Sequence, residues 1–293
     1  MQPRDGWPDA EGVLEMQVAA SVKAHSKGPV SALASAWRRR DLLVKLTRRE
    51  ILSRYRGSWL GSLWTLLTPL LLLGIYTFIF GVVFRVRWSA DQAVDAQFAA
   101  ILFAGIIVHG VLGEVFGKSP SAIVSNVNFV KKVVFPLELL PWVTVLAATF
   151  HFLLAFVVLL GFMLFSGHGF SLTAVALPLI VLPFLLLSMG IAWFVSSFGV
   201  YVRDTGHVTG FLSTALLFLS PIFYPLSAVP EAYRHLFYLN PLTYVITEFR
   251  HVLLMDQWPA WTSLGAYWVV ALVVFALGYA WFQKTRDGFS DVL

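Results

Sequence analysis

From Leu63 onward, long apolar runs alternate with short polar breaks, and the length of each run indicates its place in the fold. A helix needs about 20 apolar residues to cross a hydrocarbon layer of ~30 Å. Five runs approach or exceed that length: 63–84, 98–116, 139–165, 172–198 and 264–282. A sixth, 208–223, is shorter and ends in SPIFYP, where Pro221 and Pro225 disturb a helix. It still spans if neighbouring protein covers its last turn. The stretch LFYLNPLTYVITEFRHVLL, 236–254, is apolar but holds Asn240, Pro241, Glu248, Arg250 and His251. Charge at mid-membrane is costly unless paired or wet, so this stretch is not counted as a span.

Upstream of Leu63 the pattern changes. Trp37, Val44, Ile51, Tyr55 and Trp59 fall at helical spacing along one side of a segment crowded with arginine, which predicts a helix lying under the bilayer. Arg48 shares that side, and Leu42, Leu43 and Leu46 lie away from it. Between the second and third runs, KSPSAIVSNVNFVKKVVFP is too polar to cross. Ser121 is placed to cap a short helix whose Ile123, Val124, Val127 and Val130 share a face. That helix is either a plain interfacial connector or an element that meets a soluble partner.

Charge sets the orientation. On a six-span layout, 17 of the 21 basic residues lie on the amino-terminal side and four, Arg85, Arg87, Arg234 and Arg250, on the other. The positive-inside rule then puts both termini in the cytoplasm and the stretch 225–254 outside. Counting 236–254 as a seventh span would move Lys284 and Arg286 to the wrong side. The expected fold is an all-α integral membrane protein. It has six transmembrane helices, an amphipathic cytoplasmic helix at 36–62 before the first, and short re-entrant helices at 225–254 between the fifth and sixth. Residues 1–35 are expected to form a disordered cytoplasmic extension, with no secretory signal, and 63–293 the membrane domain.

Composition agrees, with 58% hydrophobic and 13% charged residues where soluble domains carry about 25% charged. The net charge of +5 sits beside membrane spans with no nucleic-acid motif around it, so membrane lipids and a cytoplasmic partner are expected and nucleic acid is not. There is no cysteine, hence no thiol or disulfide chemistry. The nearest approach to a phosphate loop, GEVFGKS at Gly113–Ser119, has three residues between its glycines where the motif needs four, and it ends an apolar helix. The chain is not expected to hydrolyse ATP, and no metal or nucleophile motif is present. His109, Glu114, Glu138 and His151 are the few ionisable groups in or near the spans. They make too sparse a set for a proton relay. His151 is expected to be a packing histidine and Glu114 to pair with Lys118 at i, i+4. Three G-x-x-x-G pairs, Gly57–Gly61, Gly113–Gly117 and Gly206–Gly210, are close to chance in a chain with 21 glycines.

Taken in order, DLLVKLTRREILSRYRGSWLGSLWTLLTPL, KKVVFPLELLP, VYVRD, SPIFYP, NPLTYVITEFR and RDGFSDVL resemble the membrane subunit of ABC-2 type polysaccharide exporters, nearest to the O-antigen and teichoic-acid permeases. The resemblance implies a homodimer in the bacterial inner membrane with two separate ATPase subunits. ATP and magnesium would sit on those partners, and this chain would hold no cofactor. The cargo would be an undecaprenyl-linked or similar lipid-linked polysaccharide. It further implies a gate helix whose Arg38, Arg39, Arg48, Arg49, Arg54 and Arg56 meet lipid phosphate, since guanidinium binds phosphate oxygens bidentately. A coupling helix at 121–130 would present Ser121, Asn126, Asn128, Phe129, Lys131 and Lys132 to the ATPase. The path would be lined by Tyr76, Phe80, Phe211, Phe218, Phe223 and Tyr224, and a periplasmic gate would hold Pro225, Pro230, Asn240, Pro241 and Tyr244. Any one of those aromatics also fits a lipid-facing belt. Two other readings stand beside this one. The first is an ABC-2 exporter of a small lipid or drug. The second is a membrane enzyme acting on lipid-linked sugars, for which Asp91, Asp95, Glu231, Glu248 and Asp256 are too dispersed.

Overall fold

The computed structural model describes residues 28–54, 57–83, 96–130, 135–167, 169 and 171–293. Every element among them is helical. Two helices precede the first span, α1 (Pro29–Arg38) and α2 (Arg40–Ser53), joined at Arg39. The expected single helix at 36–62 is therefore corrected at both ends. Residues 29–35, assigned to the extension, are helical because Pro29 suits a first helical turn and Ala32, Ala34 and Ala36 favour helix. Ser31 also reaches the Tyr279 hydroxyl at 3.3 Å, fastening α1 to the last span. At the other end the helix stops at Ser53, and Gly57 and Gly61 turn the chain at φ of 85° and 51°. Such values favour glycine, which has no Cβ to clash.

The helices that follow are α3 (Trp64–Tyr76), which widens into seven residues of π-helix at Thr77–Val83, then α4 (Ala96–Lys118), α5 (Leu139–Phe165), α6 (Leu177–Tyr201), α7 (Thr205–Phe218) and α10 (Trp261–Thr285). Five of these segments are long and apolar enough to cross a membrane. Helix α7 has 14 residues, a rise of about 21 Å, and leads into SPIFYP. Beyond it, within the stretch 225–254, lie α8 (Glu231–Tyr238) and α9 (Pro241–Leu254). A last turn, α11 (Phe289–Val292), ends the chain.

The expected coupling helix is not continuous. Ser119–Ser121 and Val124–Asn126 are 3₁₀ turns, and only Val127–Val130 is α-helical. Ser121 does not cap it, because its hydroxyl donates to the Lys118 carbonyl at 3.2 Å. The Asn126 amide likewise donates to Ala122 at 2.9 Å. Serine and asparagine compete with helical hydrogen bonding in this way. Of the expected apolar face only Ile123 is buried.

Helix α4 is the centre of the fold, with 72% of its apolar window buried, whereas span one has 11%. Spans α6 and α10 cross at glycines: a Cβ on Gly278 would lie 2.6 Å from the Gly190 carbonyl carbon, and one on Gly190 would lie 2.8 Å from the Phe275 Cα. Gly199 on α6 meets Pro120 of the polar turn in the same manner, 2.8 Å from its carbonyl carbon. At the foot of α6 the Tyr201 hydroxyl donates to the Thr285 carbonyl at 2.7 Å and its ring faces Phe289. Tyr201→Phe is expected to cost about 1 kcal/mol, read as a melting-point drop of roughly 2–4 °C.

Candidate functional site

Four of the six sequence motifs meet in two pairs. NPLTYVITEFR is fastened to SPIFYP by two side chains. Asn240 donates through its amide to Leu219 O at 3.1 Å and to Ser220 Oγ at 2.8 Å, while its carbonyl caps the Leu242 N–H at 2.9 Å. Arg250, wholly enclosed on α9, donates to three backbone carbonyls: Ile101 on α4 at 2.8 Å, Ile222 at 2.9 Å, and Pro221. A guanidinium suits this task because its five N–H groups fan out in one plane, so the carbonyls freed by Pro221 and Pro225 are met inside the protein. Gly105 makes room for it, since a Cβ there would lie 2.6 Å from Arg250 Nη2. Arg250, counted in the external re-entrant stretch, is an interior fastener.

The expected gate prolines act as helix starts: Pro230 precedes α8, Pro241 opens α9, and Pro225 precedes the turn Leu226–Ala228. Tyr244 stacks on Tyr267 with ring centres 4.9 Å apart.

KKVVFPLELLP meets RDGFSDVL where buried Glu138 Oε2 lies 3.4 Å from Arg286 Nη1. The Glu138 carbonyl also accepts from Trp193 Nε1 at 3.1 Å. The same stretch receives α2, whose Leu43 and Leu46 pack on Leu139 and Val143. Trp37, Val44 and Trp59 are exposed, so α1 and α2 carry one apolar side toward the protein and a second away from it.

The six candidate arginines have separate fates. Arg38 and Arg48 are exposed, Arg39 lies at the joint between α1 and α2, and Arg56 falls outside the described residues. Arg49 lies over the ring of Phe129 at 5.8 Å, which is itself stacked on Phe135 at 4.3 Å. Helix α2 and the polar turn are thus joined through Arg49 and Phe129. Asn128 and Ser121 are exposed there, and Lys131 and Lys132 fall outside the described residues.

Arg54 enters a cluster that residue patterning did not assemble. Its Nη1 is 3.4 Å from Glu114 Oε1, which also meets Lys118 Nζ at 3.0 Å. Lys118 turns to Glu50 Oε1 on α2 at 2.8 Å, and Glu114 Oε2 meets His151 Nδ1 on α5 at 2.8 Å. The Glu114–Lys118 pair is as the spacing implied. His151, expected to serve packing, is hydrogen-bonded, but to a carboxylate inside a charged group. The signal that pointed to it was a lone polar residue in an apolar span. Arg54, Glu114, Lys118 and His151 line a cavity of about 570 Å³ that also reaches Thr65, Thr68, His109 and Ser213. No group of histidines and acids able to hold a metal occurs among the described residues.

Five of the six aromatics assigned to a path come together. Tyr76 and Phe80 on span one are 6.3 Å apart, Phe80 meets Phe223 at 6.4 Å, and Phe223 meets Phe218 at 5.8 Å. The Tyr224 hydroxyl donates to the Phe218 carbonyl at 2.5 Å. Phe211 stands apart, 77% exposed on α7. The file runs between span one and α7, two helices that leave most of their side chains uncovered.

Residues 41–254 match the family described as ABC-2 type transporter. The chain belongs to the ABC-2 type transporter family. This ABC-2 chain is also similar to the O-antigen export system permease protein RfbA of Myxococcus xanthus, at 30% identity over 86% of this chain and 95% of that one. The RfbA of Klebsiella pneumoniae is 26% identical over the same shares. The polysialic acid transport protein KpsM of Escherichia coli is 26% identical over 82% of this chain and 91% of its own. As an ABC-2 permease the chain is a multi-pass membrane protein of a transport family, and the enzyme reading falls away.

Proposed function

We propose that the chain is the transmembrane subunit of an ATP-driven exporter that moves lipid-linked, O-antigen-like polysaccharide across the bacterial inner membrane. The likeness to permeases named for O-antigen export, covering 86% of the chain, carries this reading. It works as a homodimer on two ATPase subunits that bind ATP and magnesium, with six spans, α3 to α7 and α10, and both termini in the cytoplasm. Two copies juxtapose span one and α7, so that the file Tyr76–Phe80–Phe223–Phe218 faces the path. Aromatic faces stack on sugar rings and leave a polymer free to slide in register.

Force enters through the turns at 119–130. Because Pro120 lies against Gly199 with no side chain between them, a push from the ATPase passes directly into α6. Helix α2 follows through Arg49 and Phe129. Reconstituting the chain with and without its ATPase and measuring glycan export tests the reading. Export is expected only in the complete assembly, and equal export in both would reject it. A glycolipid co-purifying with the complex excludes a drug exporter.

A further inference from the structure

We propose that Glu114 is a built-in anion that ties Arg54 to Lys118 beside the 570 Å³ cavity, and that the phosphate or pyrophosphate head of an amphiphile entering the cavity releases the tie by taking Glu114's place on Arg54 and Lys118. The inference rests on the lipid-linked reading of the cargo and adds how the segment before span one is held against α4 until that cargo arrives.

Three basic side chains from three elements converge on one carboxylate: Arg54 after α2, Lys118 at the end of α4, and His151 on α5. The Glu114 side chain is 10% exposed, so the cations around it are largely withdrawn from water on that side. Cations so placed need an anion, and removing it leaves charge uncompensated. Glu114 provides one, and Glu50 provides a second for Lys118 at 2.8 Å. Both contacts to α2 and the residue that follows it, Glu50–Lys118 and Arg54–Glu114, cross to α4. They therefore tie the segment in front of span one to the centre of the fold.

The two oxygens of Glu114 divide the labour. Oε2 holds His151 at 2.8 Å, while Oε1 is shared by Lys118 at 3.0 Å and Arg54 at 3.4 Å. Arg54 is the longer contact, and its side chain is 49% exposed, so it is the first to exchange. An entering phosphoryl group offers three oxygens and more negative charge than one carboxylate, and guanidinium accommodates two of those oxygens at once. Glu114 keeps His151, Glu50 turns to solvent, and the segment ahead of span one is no longer tied to α4. The apolar remainder of the wall, Leu72, Ile106, Ile107, Phe103 and Phe152, receives the start of the lipid tail.

The chain contains no cysteine, so one cysteine at exposed Leu52 carries a single environment-sensitive dye. The full chain is placed in phosphatidylcholine nanodiscs and titrated with dodecyl phosphate, inorganic pyrophosphate and the neutral dodecyl maltoside. Dodecyl phosphate is expected to shift the emission and dodecyl maltoside to leave it. Glu114→Gln, which keeps the shape and removes the competing charge, is expected to start in the shifted state and bind dodecyl phosphate roughly tenfold more tightly. Arg54→Ala is expected to lose the response. A stronger response to dodecyl phosphate assigns the site to a lipid head, and an equal response to pyrophosphate assigns it to a free anion; both support the exchange. Glu114→Gln binding no more tightly than the parent overturns it, provided its melting curve shows a folded protein. Should that curve show unfolding, Glu50→Gln serves instead, with tighter binding again expected and unchanged binding again overturning the exchange. Export assays separate the two readings: a normal dye response with no glycan export by the complete assembly rejects the cargo and leaves the latch.

Discussion

Arg250→Met is expected to be among the most damaging single changes in the chain, costing roughly 3–5 kcal/mol and removing most folded protein from detergent extracts. Methionine fills much of the volume but donates nothing, so the carbonyls of Pro221 and Ile222 lose this partner together and that of Ile101 falls back on its helical bond alone. Each buried carbonyl left unmet costs about 1–3 kcal/mol. A sharper measurement uses Gly105. Gly105→Ala alone is expected to destabilise by about 1–3 kcal/mol, because its methyl group meets Arg250 Nη2 at 2.6 Å. In an Arg250→Lys background the forked head is gone, and the same alanine is expected to cost almost nothing further. Costs that simply add, within about 0.5 kcal/mol by denaturant unfolding, would show that the two residues do not meet.

Gly278→Val is the second severe change, expected at roughly 3 kcal/mol or more. What the new side chain strikes is the backbone of Gly190, 2.6 Å away at its carbonyl carbon, and backbone in the middle of a span has nowhere to go. Spans α6 and α10 must separate, and Trp193 then loses its ring contacts with Phe275 and Tyr279 at 5.1 and 5.0 Å. Gly265→Ala on the same α10 is the comparison, since a Cβ there meets nothing within 4 Å. It is expected to be neutral or slightly stabilising, because alanine favours helix. Thermal unfolding of the two variants side by side decides it; similar melting points would reject the crossing as a point of close approach.

Those glycines mark where the sequence was readable and where it was not. Run length located the spans, since crossing a membrane imposes one length on every helix that does so. The glycine spacing motifs carried no information: Gly206 and Gly210 meet nothing, while Gly190 and Gly278, on different helices, carry the tight contact. Spacing within a helix says nothing about which helix will lie opposite. The turn at 119–130 looked like a helix by its apolar spacing, and serine and asparagine side chains drew its backbone bonds elsewhere. Of the charged cluster, the Glu114–Lys118 pair was visible because it is local. Glu50, Arg54 and His151 join it across 37 to 68 residues, a distance that one-dimensional patterning does not bridge. Five of the aromatic residues assigned to the path lie together, and only packing shows that Phe211 stands apart from them.

The fit between Gly105 and Arg250 also sets an order on how such a chain can change over generations. A side chain at position 105 is blocked while the guanidinium is in place, and loss of the guanidinium is penalised while the broken end of α7 still needs its donors. A lineage that abandons this arrangement must first rebuild the SPIFYP corner so that its carbonyls bond elsewhere. Only then can Arg250 be lost, and only after that can Gly105 take on a side chain.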